Sequence, residues 1–128
     1  MSRCIADTSI FIARESGRPI AEHDLPDEIG ISVITVGELR AGVLATSDTQ
    51  IRDQRLATLT EALSLDPIPI DQSVADAWAL LRVMLHDARL KMPVNDSWIA
   101  ATAISLGLPL VTQDDDYVEV PGLRVIKV

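Results

Sequence analysis

Short apolar runs alternate with longer segments of helical periodicity along the whole chain. The runs with strand character are residues 3–6, 31–34, 65–70, 108–112 and 123–128. Helical spacing of apolar residues follows between them, starting at Ile10, after Thr35, and over 51–63, 71–90 and 96–106. This alternation predicts an α/β fold, an open and largely parallel sheet with helices on both faces. Two prolines confine 65–70 to an edge or short strand.

The composition fits one domain that spans residues 1–128. Hydrophobic residues make up 48 % and aromatics only 3 %, so the core consists of aliphatic side chains. A single cysteine, Cys4, excludes a disulfide framework and indicates a reducing cytosol. No apolar run approaches the ~20 residues of a membrane span, and no signal-peptide pattern is present. A cytoplasmic location is therefore expected.

A net charge of −8 argues against a broad basic surface. Attraction of phosphate must then come from a few local cations or from a bound metal. On charge alone, nucleic acid is not the first partner that the sequence suggests.

Acidic residues follow several of the predicted strands. Asp7 comes one residue after the first strand, and Asp114 two residues after Thr112. Glu38 lies in the first turn of the helix after the second strand, and Asp96 opens the helix before 108–112. In a parallel sheet Asp7, Asp114 and Glu38 lie near the edge where the strands end and where ligands bind. Asp96 joins them only if its helix points its N-terminus to that edge.

Each carboxylate also has a purely structural interpretation. Asp7 can cap a helix, and Glu38 can complete a capping box with Thr35. The charge of Asp96 can interact favourably with the dipole at the N-terminus of its helix. Residues 114–116 can form a solvated turn, and Asp71 fits a plain helix cap. Clustered carboxylates, however, repel one another and take up protons unless a cation is present.

A hard divalent cation would remove that repulsion. Mg²⁺ and Mn²⁺ prefer oxygen ligands and keep several waters. The two histidines, His23 and His86, have no His or Cys neighbour at metal-ligand spacing, so no competing thiol or imidazole site is indicated.

Four segments in this order resemble the PIN-domain pattern, and most closely the VapC-type toxins of bacterial toxin–antitoxin pairs. They are Asp7-Thr8-Ser9, the residues 35–39 (TVGEL), the residues 95–103 (NDSWIAATA) and the residues 112–117 (TQDDDY). The resemblance covers essentially the whole chain. It implies an endoribonuclease that depends on Mg²⁺ or Mn²⁺ and leaves 5′-phosphate and 3′-hydroxyl ends.

The resemblance also implies roles for individual residues. It assigns the metal and catalytic site to Asp7, Glu38, Asp96 and Asp114, with Asp116 as an additional acidic ligand. The hydroxyls of Ser9 and Thr112 occupy positions that support the acidic cluster, whereas Asp115 has no family role and is expected to be solvated.

Substrate contacts are less defined by the sequence. Arg14 and Arg40 are candidate phosphate contacts, although a solvated surface arginine is the simpler explanation for each of them. Arg89 and Lys91 precede Asp96 and are weaker candidates. Trp98 could stack a base, but its place in an apolar stretch favours core or interface packing, as for Trp78.

The partners implied by the resemblance are an RNA substrate, a cognate antitoxin that inserts an arginine into the acidic pocket, and a second copy in a homodimer. No membrane partner is expected.

Two other functions compete with the nuclease. A response-regulator receiver also has an acidic Mg²⁺ pocket, and Asp71 and Thr112 could then be acceptor and switch hydroxyl. A receiver also needs a lysine after the end of a strand, whereas Lys127 falls inside the predicted last strand. A receiver function would leave Glu38 and Asp96 without a role. The second alternative is a PIN-like module that has lost catalysis and only binds RNA or a partner.

Overall fold

A computed structural model describes residues 2–128, which form a parallel four-stranded sheet between two layers of helix. The strands are β1 (Arg3–Ala6), β2 (Glu28–Gly30), β3 (Leu110–Thr112) and β4 (Val125–Lys127). The helices are α1 (Thr8–Ser16), α2 (Val33–Leu44), α3 (Thr49–Leu63), α4 (Gln72–Asp87) and α5 (Val94–Leu106). A short 3₁₀ helix occupies Glu22–Asp24. The predicted α/β class is confirmed.

The strand order is β2-β1-β3-β4, which places β1 and β3 side by side at the centre. Ile5 pairs with Gly30 on one side and with Leu110 on the other, all in parallel register. Because all strands are parallel, every strand ends at the same edge of the sheet. The segments after β1 and β3 are therefore neighbours in space.

The alternation of side chains along β1 builds two cores. Cys4 and Ala6 point to a core shared with α1, α2 and α3, and Ile5 points to a core shared with α4 and α5. The first core holds Ile10, Leu39 and Leu59 among others, and the second holds Leu81 and Ile99. Burial on both faces explains why these strands are continuous apolar runs.

The prediction of the second strand at 31–34 is wrong. The strand is Glu28–Gly30, and α2 already begins at Val33. Ser32 is its N-cap, with its hydroxyl accepting a 3.0 Å hydrogen bond from the N–H of Ile34. A serine one residue before the helix satisfies the free N–H groups that a capping box would otherwise bind.

The predicted capping box of Thr35 and Glu38 is therefore also wrong. Both residues lie inside α2, and their side chains are free for contacts with other elements. The segment 65–70 forms no strand within the described chain. It contributes one parallel bridge between Ile68 and Ser32, because its prolines leave too few donors for a ladder.

Asp71 caps α4, as the structural interpretation predicted, and accepts a 2.9 Å hydrogen bond from the N–H of Val74. α5 begins two residues earlier than expected, and Asp96 lies in its first turn, as the helix-dipole interpretation expected. Gly107 ends α5 in the left-handed conformation (φ 66°), so that the chain can turn into β3. None of the helices in residues 2–128 is both long and apolar enough to cross a membrane.

Candidate metal centre and active site

Four carboxylates from four different elements line one cavity of about 170 Å³ at the carboxyl edge of the sheet. Asp7 follows β1, Asp114 follows β3, Glu38 comes from the second turn of α2 and Asp96 from the first turn of α5. The order of the strands brings Asp7 and Asp114 together, and the packing of α2 and α5 against the sheet brings the other two. Thr8, Ser9, Ile12 and Arg18 complete the lining.

Asp7 is the most enclosed of the four, with 2 % of its surface exposed. Its Oδ1 accepts a 2.7 Å hydrogen bond from the hydroxyl of Tyr117. Its Oδ2 accepts from the hydroxyl of Thr112 at 3.0 Å and from the N–H of Ser9 at 3.3 Å. Three donors therefore fix the orientation of this carboxylate, which is also the N-cap of α1.

Glu38 is oriented by a hydroxyl from a different helix. Thr8 donates a 2.7 Å hydrogen bond to Oε1 of Glu38. The same Thr8 oxygen lies 2.9 Å from the hydroxyl of Thr35, which is fully buried one turn before Glu38. The carboxylate is thus tied to the start of α1, directly beside Asp7.

The hydroxyls of Ser9 and Thr112 connect the ends of β1 and β3. Their oxygens are 3.2 Å apart. Ser9 accepts the N–H of Gln113 at 3.0 Å, and Thr112 accepts the N–H of Asp114 at 2.9 Å. The two hydroxyls predicted to support the acidic cluster therefore set the path of the loop that carries Asp114.

Burial and mutual repulsion both raise pKa values within the cluster. Burial raises the pKa of Asp96 to about 7 from an ordinary 3.8, with further contributions from the charges of Asp7, Glu38, Asp116 and Asp114. Burial, the charge of Asp7 and a hydrogen bond with it also raise the pKa of Asp114, which Arg18 opposes. One nearby guanidinium does not neutralise this many carboxylates.

The donor set fits a hard divalent cation. All four side chains offer carboxylate oxygens, the ligands that Mg²⁺ and Mn²⁺ select. Within residues 2–128, no three acidic, histidine or cysteine side chains are arranged to ligate one ion directly. Mg²⁺ commonly binds through one or two carboxylates and retains water at its other positions, which suits carboxylates spaced around a cavity.

The remaining predicted site residues lie at or outside the rim. Asp116 is exposed and acts on Asp96 and Asp114 through its charge. Asp115 is exposed and pairs with Lys127, consistent with a solvated residue. Arg14 pairs with Glu22 at 3.5 Å, and Arg40 is exposed on α2; neither lines the cavity.

Three contributors to the site were not predicted from the sequence. They are Thr8, Arg18 and Tyr117. Thr8 stood within the motif Asp7-Thr8-Ser9, and Tyr117 closed the acidic stretch 112–117, so adjacency to both motifs was the available signal. Burial and the charge of Asp7 raise the pKa of Tyr117, which keeps its phenol a hydrogen-bond donor. Arg18 lies just after Gly17 ends α1, where no pattern marked it.

Comparison with known proteins identifies the family of this chain. The PIN domain family model matches residues 4–123. The ribonuclease VapC5 of Mycobacterium tuberculosis is 44 % identical over 124 residues, 97 % of this chain and 92 % of the relative. The ribonuclease VapC4 of the same organism is 45 % identical over 126 residues, 98 % of this chain and 97 % of the relative.

A solved structure extends the match to three dimensions. A chain in the crystal structure of VapBC-5 from Mycobacterium tuberculosis, a member of the VapBC family of toxin–antitoxin systems, superposes with a TM-score of 0.92. The two chains are 40 % identical and each is covered completely. The chain therefore belongs to the PIN-domain family and, within it, to the VapC ribonucleases.

Proposed function

We propose that this protein is a metal-dependent endoribonuclease, the toxin of a VapBC-type toxin–antitoxin pair, and that residues 1–128 form its single PIN domain. The observation that carries the proposal is the cavity in which Asp7, Glu38, Asp96 and Asp114 meet. It occurs in a chain that is 44 % identical to a ribonuclease over nearly its full length.

The four carboxylates would hold Mg²⁺ or Mn²⁺, directly or through water, with Asp116 as an outer ligand. When bound, the cation supplies a water of lowered pKa and positive charge beside the phosphate oxygens. PIN-domain ribonucleases of this kind depend on divalent metal, and the choice between Mg²⁺ and Mn²⁺ is part of the proposal.

The chain's own residues prepare the cavity for a cation and a phosphodiester. Asp7 keeps a fixed orientation because Tyr117 and Thr112 hold its two oxygens. Burial and the neighbouring carboxylates raise the pKa of Asp96 to about 7, so a bound cation would favour its deprotonated form. Arg18, the only cationic side chain among the described residues that line the cavity, is placed to contact a substrate phosphate.

The proposed partners follow from the membership of this chain in the VapC ribonucleases. The solved neighbour is a toxin–antitoxin complex, and we propose that a cognate antitoxin inhibits this protein by inserting an arginine among the four carboxylates. We further propose a homodimer that acts in the cytoplasm on RNA. No role at a membrane is expected.

A receiver function is not favoured by the same observations. Asp71, its candidate acceptor, accepts the N–H of Val74 as a helix cap, and Lys127 pairs with Asp115. The cleavage experiment distinguishes the nuclease from a PIN-like module without catalysis.

The test is cleavage of end-labelled total RNA by antitoxin-free protein with Mg²⁺, with Mn²⁺, and with chelator. Wild type should cut only with metal, Asp96→Asn should not cut, and Asp115→Asn should cut normally because Asp115 lies outside the cavity. Equal cutting by wild type and Asp96→Asn would contradict the proposal. Metal binding without cutting of any RNA would identify a binding module.

A further inference from the structure

A cleft of about 550 Å³ lies where α4 ends and α5 begins. Arg82, His86, Arg89 and Lys91 surround it, and Leu85 and Met92 form part of its apolar lining. No carboxylate of the described chain lines it. The nearest acidic neighbour in sequence, Asp87, has its carboxylate 3.4 Å from Nδ1 of His86. This α4–α5 cleft is therefore a local positive surface on an acidic protein.

The cations of this cleft are available for a ligand. The chain has 11 Lys and Arg residues against 19 acidic ones, and three of the 11 line this cleft. None of the three makes an ion pair with any residue of 2–128, whereas several cations elsewhere are engaged by carboxylates or backbone carbonyls: Arg3, Arg14, Arg52, Arg55 and Lys127.

The backbone at Arg89 has a conformation in which glycine is the usual residue. Arg89 has a φ of 58°, the left-handed conformation that disfavours any residue with a Cβ. Glycine occupies the equivalent position after α1 (Gly17, φ 76°) and after α5 (Gly107, φ 66°). After α4 the chain uses an arginine instead, and a strained residue of this kind points to a function for the side chain.

The cleft adjoins the start of α5, the helix that carries Asp96. Val94 in its lining is two residues from Asp96, so their Cα atoms are at most about 7.6 Å apart. Trp78 of α4 stacks on Trp98 of α5 with ring centroids 4.3 Å apart. Arg82 lies over the Trp78 ring at 5.7 Å from its centroid. Packing of the two indoles, as favoured from the sequence, thus fixes α4 and its arginine against α5.

We propose that the α4–α5 cleft binds the sugar–phosphate backbone of single-stranded RNA next to the phosphate that is cut. The proposal rests on the ribonuclease function. A protein with a net charge of −8 needs local cations to hold a polyanion. Arg82, Arg89 and Lys91 supply them in a cleft whose wall includes Val94, two residues before Asp96, and the apolar lining gives bases or riboses a contact surface.

The test measures RNA binding without cleavage. A fluorescein-labelled single-stranded RNA of random sequence is titrated with wild type in EDTA, and fluorescence anisotropy is recorded over a range of salt concentrations. The cleft variant is Arg89→Gln with Lys91→Gln. The control is Arg3→Gln with Arg124→Gln, which removes the same charge from exposed positions outside the cleft.

The cleft variant should bind RNA about tenfold more weakly at low salt, and its slope of log K against log salt should fall by about 1.4. The control should stay within about twofold of wild type. Wild-type affinity in the cleft variant, or equal losses in both variants, would overturn the proposal. A cleft variant with an altered molar mass and unchanged RNA affinity would also overturn the proposal, because it would assign the cleft to a contact between subunits.

A parallel cleavage assay with Mn²⁺ separates this proposal from the ribonuclease function. If wild type cleaves RNA and the cleft variant binds it normally, the nuclease stands and the cleft assignment fails. If wild type does not cleave but the cleft variant loses RNA affinity, the cleft stands as an RNA site and the nuclease assignment fails.

Discussion

The hydroxyl of Tyr117 donates a 2.7 Å hydrogen bond to Oδ1 of Asp7 across 110 residues of sequence. Both residues are almost fully buried, at 7 % and 2 % exposure. Tyr117→Phe leaves this oxygen of a buried carboxylate without its donor. We expect a loss of about 1.5–3 kcal/mol in the free energy of unfolding of metal-free protein, measured by denaturant titration.

The packing of the ring is unchanged in Tyr117→Phe, so circular dichroism should show a native fold. An unfolding free energy equal to that of wild type would mean that the hydrogen bond does not stabilise Asp7.

Thr8→Val removes the hydroxyl that orients Glu38 and keeps the shape of the side chain. We expect kcat/KM for RNA cleavage to fall by about tenfold, because groups that orient metal ligands have effects of this size. Thr58→Val is a matched control, since the Thr58 hydroxyl donates to Oε1 of Glu15 at the same 2.7 Å distance, outside the four-carboxylate cavity.

Thr58→Val should cleave RNA as well as wild type. Equal cleavage by Thr8→Val and wild type would show that Thr8 does not position Glu38 for the reaction.

The stability of metal-free protein should depend on Asp96. Its folded pKa of about 7 lies above the ordinary 3.8, so the folded state binds its proton more tightly than the unfolded state. The stabilisation is fully present below pH 3.8 and is lost as the pH rises through about 7. Thermal unfolding in EDTA at several pH values, compared with Asp96→Asn, isolates this contribution from that of other groups.

Asp96→Asn should gain stability relative to wild type as the pH rises from about 4 to 7. The exposed Asp53→Asn, on α3, provides a charge-matched control that should follow the wild-type curve. A constant difference between wild type and Asp96→Asn over this range would contradict the shifted pKa.

Much of the fold was predictable because its signals are local. The run 3–6, the helices and the strand after Gly107 depend on apolar periodicity and on glycine, and each appears close to its predicted place. The prediction of a strand at 31–34 is wrong because Ile31 is buried beside the sheet without belonging to it, and because Ser32 caps α2 three residues before the capping-box pattern begins.

The site was predictable at the level of carboxylates after strands, because parallel strands end at one edge. Its supporting contacts were not, since Thr8 to Glu38 and Tyr117 to Asp7 join residues 30 and 110 positions apart. Arg18 escaped prediction for a similar reason, because it approaches Asp114 through the turn that follows α1 and not through any motif.

The most direct test of the central claim is binding of Mn²⁺ to antitoxin-free protein, measured by isothermal titration calorimetry for wild type and Asp96→Asn. If the four carboxylates of the cavity form a metal centre, wild type binds Mn²⁺. The variant should bind it about ten- to hundredfold more weakly, because it lacks one charged ligand. Equal affinity of the two proteins, or no binding by wild type, would contradict a metal centre built from these residues.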